Sequence, residues 1–313
     1  SPDKQHLLVR GHDARGHSHQ TLFAVTLELN RIKQRANADF RALLAVHEAG
    51  HGLVYSLLLG QTPQEMKINI ASFEGGYNSF SSLKATTRQN ALDMMCVGLA
   101  GRVAEELVFG EMACTTGAEQ DFKQVTAEAA RYIRHHGFGA RLARTDVTVE
   151  MDNHVNTDIG PSNEAIEALM QQQYQRAQAL ILLNDMAGRL ANNRNHAADY
   201  VTASALGVGM SCPTAPTTRQ QSDASEWCNA LQGAAETTGS SKVGAMVGGR
   251  GCVESLGNNE YLITVAWQGM APLTAPSANL ACGQGSYDGA TGSACTGDRC
   301  RRVVTSIVRI ATL

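Results

Sequence analysis

The sequence predicts an α+β chain in two parts. The first is mainly α-helical with a small β-hairpin. The second is a long helical segment followed by a small antiparallel β-sheet. Three observations carry this expectation. Apolar residues recur at three- and four-residue steps through Ala38–Leu59, 91–108, 119–136 and 163–193, the period of a one-sided helix. Short β-prone runs separated by glycine-rich loops occupy 242–247, 261–267 and 302–310. Composition also shifts near residue 168: nine of ten histidines precede it and six of eight cysteines follow it. With 313 residues, about two domains are expected, here 1–168 (1–37 being a poorly defined leader) and 169–313.

Taking the elements in order, the leader is polar and glycine-containing, and its His12, His17 and His19 read as a solvated tail. The helix 38–59 is an apolar stripe that Gly60 can stop. Met66 to Phe80 alternates as a strand pair turning at Gly75-Gly76. The helix 91–108 carries Glu105 and Glu106, read as a polar face with Arg102 pairing Glu106. A formal charge of −3 gives no field for nucleic acid or an anionic membrane. No uninterrupted apolar run reaches the roughly 18 residues of a membrane span, and the first residues are not those of a signal peptide.

The chemistry sits in the first apolar helix. His47 and His51 are four residues apart, so they share a helix face, and Glu48 is one step round. Two imidazoles at that spacing hold zinc, and the glutamate takes a proton from water polarised by the ion. Three costly polar groups interrupting an apolar helix are explained together by a metal. A third protein ligand is needed, and spacing leaves Glu105, Glu106, Glu111, Glu119, Asp121 and His135 open. The strand after the hairpin's start, around Ile68, Asn69 and Ile70, could hold an extended peptide through its backbone.

The segments AVHEAGH (Ala45–His51), GLAGRVAEELVFG (Gly98–Gly110) and TTGAEQDF (Thr115–Phe122) resemble, in order and spacing, the peptidase domain of FtsH-type ATP-dependent zinc metalloproteases over residues 38–168. That resemblance implies zinc as cofactor and His47, His51 and Asp121 as ligands, with Glu48 as general base. It also implies an unfolded polypeptide or peptide as substrate, a homo-oligomer, and the cytosolic side of an inner membrane. Asp121 near a helix start suits a carboxylate. None of the six lysines follows a glycine, so the G-x-x-x-x-G-K phosphate loop of the family's ATPase is not expected. Cleavage is then expected only for peptides or already unfolded protein.

The second part holds Cys212, Cys228, Cys252, Cys282, Cys295 and Cys300, an even set in a glycine-rich region, which reads as a disulfide framework. Cys295 and Cys300 are close enough to close a small loop, and Cys96 and Cys114 read as buried thiols outside the framework. No catalytic constellation appears here. Arg176–Tyr200, Glu226–Glu236, Tyr261–Gly269 and Cys300–Leu313 resemble the headgroup of PilV-type minor pilins, the type IV pilus modification proteins, over 170–313. The resemblance implies a long helix packed on the antiparallel sheet, a disulfide near the C-terminus, other pilins as partners, and a place in the periplasm or at the cell surface. The whole then reads as a zinc-dependent endopeptidase fused to a non-catalytic pilin-like domain. The alternative is a structural pilus subunit, for assembly, priming or adhesion, in a composite or engineered chain whose peptidase-like region is incidental.

Overall fold

Helix α1 spans Ala38–Leu59 and ends where Gly60 turns left-handed (φ +64°), its N–H still reaching the Ser56 carbonyl at 3.0 Å. The described residues of this computed structural model are 38–68, 76–80, 86–140, 159–233, 237–238, 241–242 and 246–311. The leader with His12, His17 and His19 lies outside them, as do Asn69 and Ile70. Strands β1 (Glu65–Ile68) and β2 (Gly76–Ser79) pair antiparallel, with Ile68 opposite Gly76. Gly76 is therefore the first residue of β2, inside the ladder, where the sequence suggested the turn.

Helix α2 (Arg88–Phe109) starts at Thr87, whose hydroxyl accepts the Asn90 N–H at 3.1 Å, and stops at Gly110 (φ +83°). It packs closely on α1 because small residues meet: a Cβ built on Gly50 would lie 2.5 Å from the Ala100 carbonyl oxygen and 2.7 Å from the Ala104 Cβ. Turns at Glu111–Ala113 and Thr116–Ala118 lead into α3 (Glu119–Arg134), with Glu119 and Asp121 in its first turn and Arg131 and Arg134 in its last, matching the helix dipole. Met95 and Leu99 of α2 and Val125, Ala129 and Tyr132 of α3 form one apolar cluster with Ile166 and Leu169.

Those last two residues belong to α4, a 34-residue helix from Ile159 to Asn192. The sequence-expected boundary at 168 falls inside it. Its first half packs on α2 and α3, and Arg176 reaches across to Asp93 of α2 at 2.7 Å. Its second half, from Ala177 to Leu190, covers an antiparallel sheet. The larger core is continuous from Val54 and Tyr55 of α1 through α4 to Trp227, Ile263 and Val265.

That sheet has the order β3-β6-β7-β8: Leu206–Gly207, Arg250–Gly257, Glu260–Gln268 and Arg301–Arg309. A small separate pair, β4 (Thr237–Thr238) and β5 (Ser241–Lys242), stands outside it. β7 is buried on both faces. Tyr261, Ile263, Val265 and Trp267 face the α4 side, while Ala266 packs with Cys252, Cys282 and Tyr287. Arg301, 1% exposed, holds that second cover by donating to the carbonyls of Leu280 and Cys282 and pairing with Asp298 at 3.3 Å.

Three expectations need correction here. Met246 and Val247 lie in a turn rather than in the strand expected at 242–247, of which Lys242 belongs to β5 and 243–245 lie outside the described residues, and β6 was not expected. Helix α5 (Arg219–Leu231) was also missed, although Thr218 caps it and Asp223, Trp227, Cys228 and Leu231 repeat on one buried face. Cys114 is half-buried and donates weakly to the Gly110 carbonyl, unlike the fully buried Cys96, whose thiol burial pushes up to about 12. By length and mean composition 41–59 could cross a membrane although Arg41, His47, Glu48 and His51 interrupt its apolar run; in this fold it packs on α2 with His47, Glu48 and His51 buried. The six remaining cysteines pair as 212–228, 252–282 and 295–300.

Candidate metal centre

His47 and His51 sit on consecutive turns of α1, facing α2, and both are buried. Each has its Nδ1 occupied. His47 Nδ1–H donates to Glu105 Oε1 at 2.7 Å, and His51 Nδ1–H donates to the Val97 carbonyl at 2.7 Å. A carbonyl only accepts, so the proton of neutral His51 is on Nδ1 and its Nε2 presents a lone pair. The Glu105 carboxylate fixes the same tautomer in His47. The two Nε2 atoms lie 3.0 Å apart, and Asp121 Oδ2, from the first turn of α3, is 3.0 Å from one and 3.5 Å from the other. His47, His51 and Asp121 thus converge, each offering a ligand atom within 4.8 Å of the others.

Three acceptors facing one another without a donor call for a cation, and two imidazole nitrogens with one carboxylate oxygen are zinc-type donors. The space around them is also cleared: a Cβ on Gly101 of α2 would stand 2.5 Å from His51 Nε2 and 2.6 Å from His47 Nε2. The residues therefore fit a small divalent ion. Without one, a proton takes its place. Burial pulls the His47 ring towards neutrality, but the Asp121 and Glu105 carboxylates outweigh this and raise it to about 9. Asp121 moves the other way, to about 2, because its contacts with His47 and His51 overcome its burial.

Glu48 is buried on the same helix and lies against β2. Burial lifts its carboxyl above the ordinary range, partly offset by the two histidines and by a hydrogen bond from Asn78. These groups open onto a cleft of about 910 Å³, whose apolar wall includes Leu43, Leu44, Met94, Met95 and Val125.

A model of Peptidase family M41 matches residues 34–193, just over half of the 313. The chain belongs to Peptidase family M41. It is 35% identical over 173 residues to an ATP-dependent zinc metalloprotease FtsH of Synechococcus sp. (strain JA-2-3B'a(2-13)), covering 48% of this chain and 27% of that protein. It is 33% identical over 156 residues to the FtsH of Thermus thermophilus, covering 45% and 24%. It is 28% identical over 188 residues to the mitochondrial inner membrane m-AAA protease component yta12 of Schizosaccharomyces pombe, covering 56% and 24%. The chain spans about a quarter of the length of these curated relatives. FtsH-type M41 peptidases are zinc metalloproteases, so zinc is the expected ion.

Of the M41 residues weighed from the sequence, Glu105 changes meaning. It is 2% exposed and sits between His47 and the Thr115 N–H, which donates to Oε2 at 3.0 Å. The polar-face reading of Glu105 and Glu106 fails, because α2 is enclosed by α1, α3 and α4. Glu106 is buried too and accepts the Tyr174 hydroxyl of α4. Glu105 is four residues beyond Gly101, hence on the same face of α2, which was the signal to find it. Nothing in the sequence pattern marks Asn78; its Nδ2 donates to Glu48 Oε2 at 2.6 Å and to the Glu48 carbonyl at 3.0 Å. The hairpin wall of the cleft is Gly76, Tyr77, Asn78 and Phe80; Ile68, paired opposite Gly76, is not part of it. Glu111, Glu119 and His135 lie outside the histidine–aspartate cluster.

Proposed function

We propose that the M41 part is a zinc-dependent endopeptidase in which His47, His51 and Asp121 hold the ion and Glu48 is the general base. Bound zinc would lower the pKa of a coordinated water to about 7 and polarise a carbonyl. The residues of the chain do the rest. Glu105 and Val97 hold the imidazoles in the ligating tautomer. Glu48, buried and raised in pKa, receives the water's proton and returns it to the leaving amine nitrogen. The cleft beside β2 takes an extended peptide whose side chains meet Leu43, Leu44 and Met94, which suits unfolded polypeptide.

The observation that carries this reading is the convergence of three lone pairs, the two imidazoles oriented from behind by Glu105 and Val97, beside a buried carboxylate. The test is zinc content together with peptide hydrolysis. About one zinc per chain, removed by a chelator along with casein cleavage, is the expected result. Glu48→Gln should keep the metal and lose cleavage by about 10²–10⁴-fold. Cleavage by Glu48→Gln as fast as by the parent would remove the assignment.

For residues 169–313 we infer a non-catalytic, minor-pilin-like unit, with other pilins as partners and the periplasm or cell surface as its place. Support comes from the second half of α4 lying on an antiparallel sheet in a region that carries three disulfides, one of them rooted in β6 at Cys252, which fits an oxidising compartment. The peptidase part by its relatives suits the cytosolic side of an inner membrane and a homo-oligomer. A chain carrying both is composite, and six protected thiols without reductant would support the oxidised half.

A further inference from the structure

The general base has a partner that its own helix does not supply. Asn78 is on β2, thirty residues from Glu48 in sequence. Its amide spends both N–H groups on one residue, at 2.6 Å to Oε2 and at 3.0 Å to the backbone carbonyl of Glu48. The clamp therefore fixes side chain and backbone together. Asn78 Oδ1 is fully buried and has no hydrogen-bond partner, so the amide is held in this orientation by what its nitrogen does, at the cost of an unpaired acceptor. The strand is pressed close: a Cβ on Gly76 would lie 2.6 Å from Glu48 Oε1. Only a glycine there lets β2 approach the carboxylate.

We propose that Asn78 is a positioning residue for Glu48: its amide ties Oε2 to the hairpin, leaving Oε1 as the oxygen that receives the proton of the attacking water. This rests on the reading of Glu48 as base. Oε1 accepts no hydrogen bond among the described residues. A carboxylate without the clamp rotates about its last torsion, which is broad and two-fold, and loss of orientation at a reacting group costs up to about 10²-fold.

The test uses the zinc-loaded full chain and a fluorogenic peptide, with kcat, KM, zinc affinity and melting temperature measured for Asn78→Leu, Asn78→Asp, Asn78→Ser and Glu48→Gln. Asn78→Asp keeps the shape but has no N–H to give. Expected is a 10–100-fold fall in kcat for Asn78→Leu and Asn78→Asp, with KM and zinc affinity within about twofold of the parent. Asn78→Ser, whose hydroxyl can donate once, should recover part of kcat. Unchanged kcat in Asn78→Asp overturns the proposal. So does a loss of zinc affinity and melting temperature in step with kcat, which a merely structural role would give. If Glu48→Gln also keeps full activity, the base assignment itself is wrong; if it is inactive while Asn78→Asp is not, the positioning role alone fails.

Discussion

Replacing Glu105 by glutamine isolates what orients the first imidazole. Both carboxylate oxygens of Glu105 accept: Oε1 from His47 Nδ1–H at 2.7 Å, Oε2 from the Thr115 N–H at 3.0 Å. A glutamine amide has one accepting oxygen and one donating nitrogen, so it cannot serve two donors. If its oxygen stays with Thr115, its NH₂ faces His47, and the ring must carry its proton on Nε2, where it cannot bind a metal. If the oxygen turns to His47, the Thr115 N–H faces another donor. Either outcome misplaces a buried donor at about 1–3 kcal/mol, and removing such a partner behind a metal-binding histidine costs about 10–100-fold in affinity. Competition with a chromogenic chelator at pH 7.5 measures this directly. Glu105→Gln should bind zinc about 10–100-fold more weakly while keeping its helical circular dichroism. Affinity within threefold of the parent would refute the orienting role.

Four further outcomes follow from the structure. Because metal-free His47 holds a proton up to about 9, zinc must displace it, and affinity should fall about tenfold per pH unit from 8 to 6. The stability that His47 gives the metal-free chain is complete below 6.5 and lost as pH rises through about 9, so that form should melt lower at pH 9.5 than at 6.5, with Asp121, depressed to about 2, silent in this window; a flat profile would contradict the proton's location. Gly101→Ala favours a helix interior by about 1 kcal/mol, yet its Cβ would stand 2.5 Å from His51 Nε2, so zinc uptake should collapse while α2 remains helical; normal zinc binding would show that the space is not needed. Removing Cys252 and Cys282 together opens a 30-residue span and should lower unfolding free energy by about 3–4 kcal/mol in urea titrations, whereas a change under about 1 kcal/mol would argue against the bridge.

The zinc helix was readable because its signals agree: an apolar stripe, a glycine stop and two histidines four apart are all local. The bounds Ala38–Leu59 follow from that agreement. Glu105 and Asn78 were not readable in the same way. A carboxylate four residues from a glycine looks like a solvated pair unless α1 is known to cover it, and an asparagine in a hairpin looks like turn chemistry unless the strand is known to touch Glu48. Both depend on close approach at Gly50 and Gly76, a tertiary matter. In the second part, α5 hid behind serine, aspartate and asparagine, whose low helix propensity is overcome by burying Trp227 at 0% exposure with its indole N–H donating to the Leu182 carbonyl of α4. The cysteine set announced a framework, but pairing is set by which loops cover β7.

A zinc-edge anomalous difference map of zinc-loaded crystals tests the centre most directly. One peak is expected between His47 Nε2, His51 Nε2 and Asp121, about 2.0–2.2 Å from each ligand atom. No peak there in fully loaded crystals, or a peak held by other side chains, would contradict it.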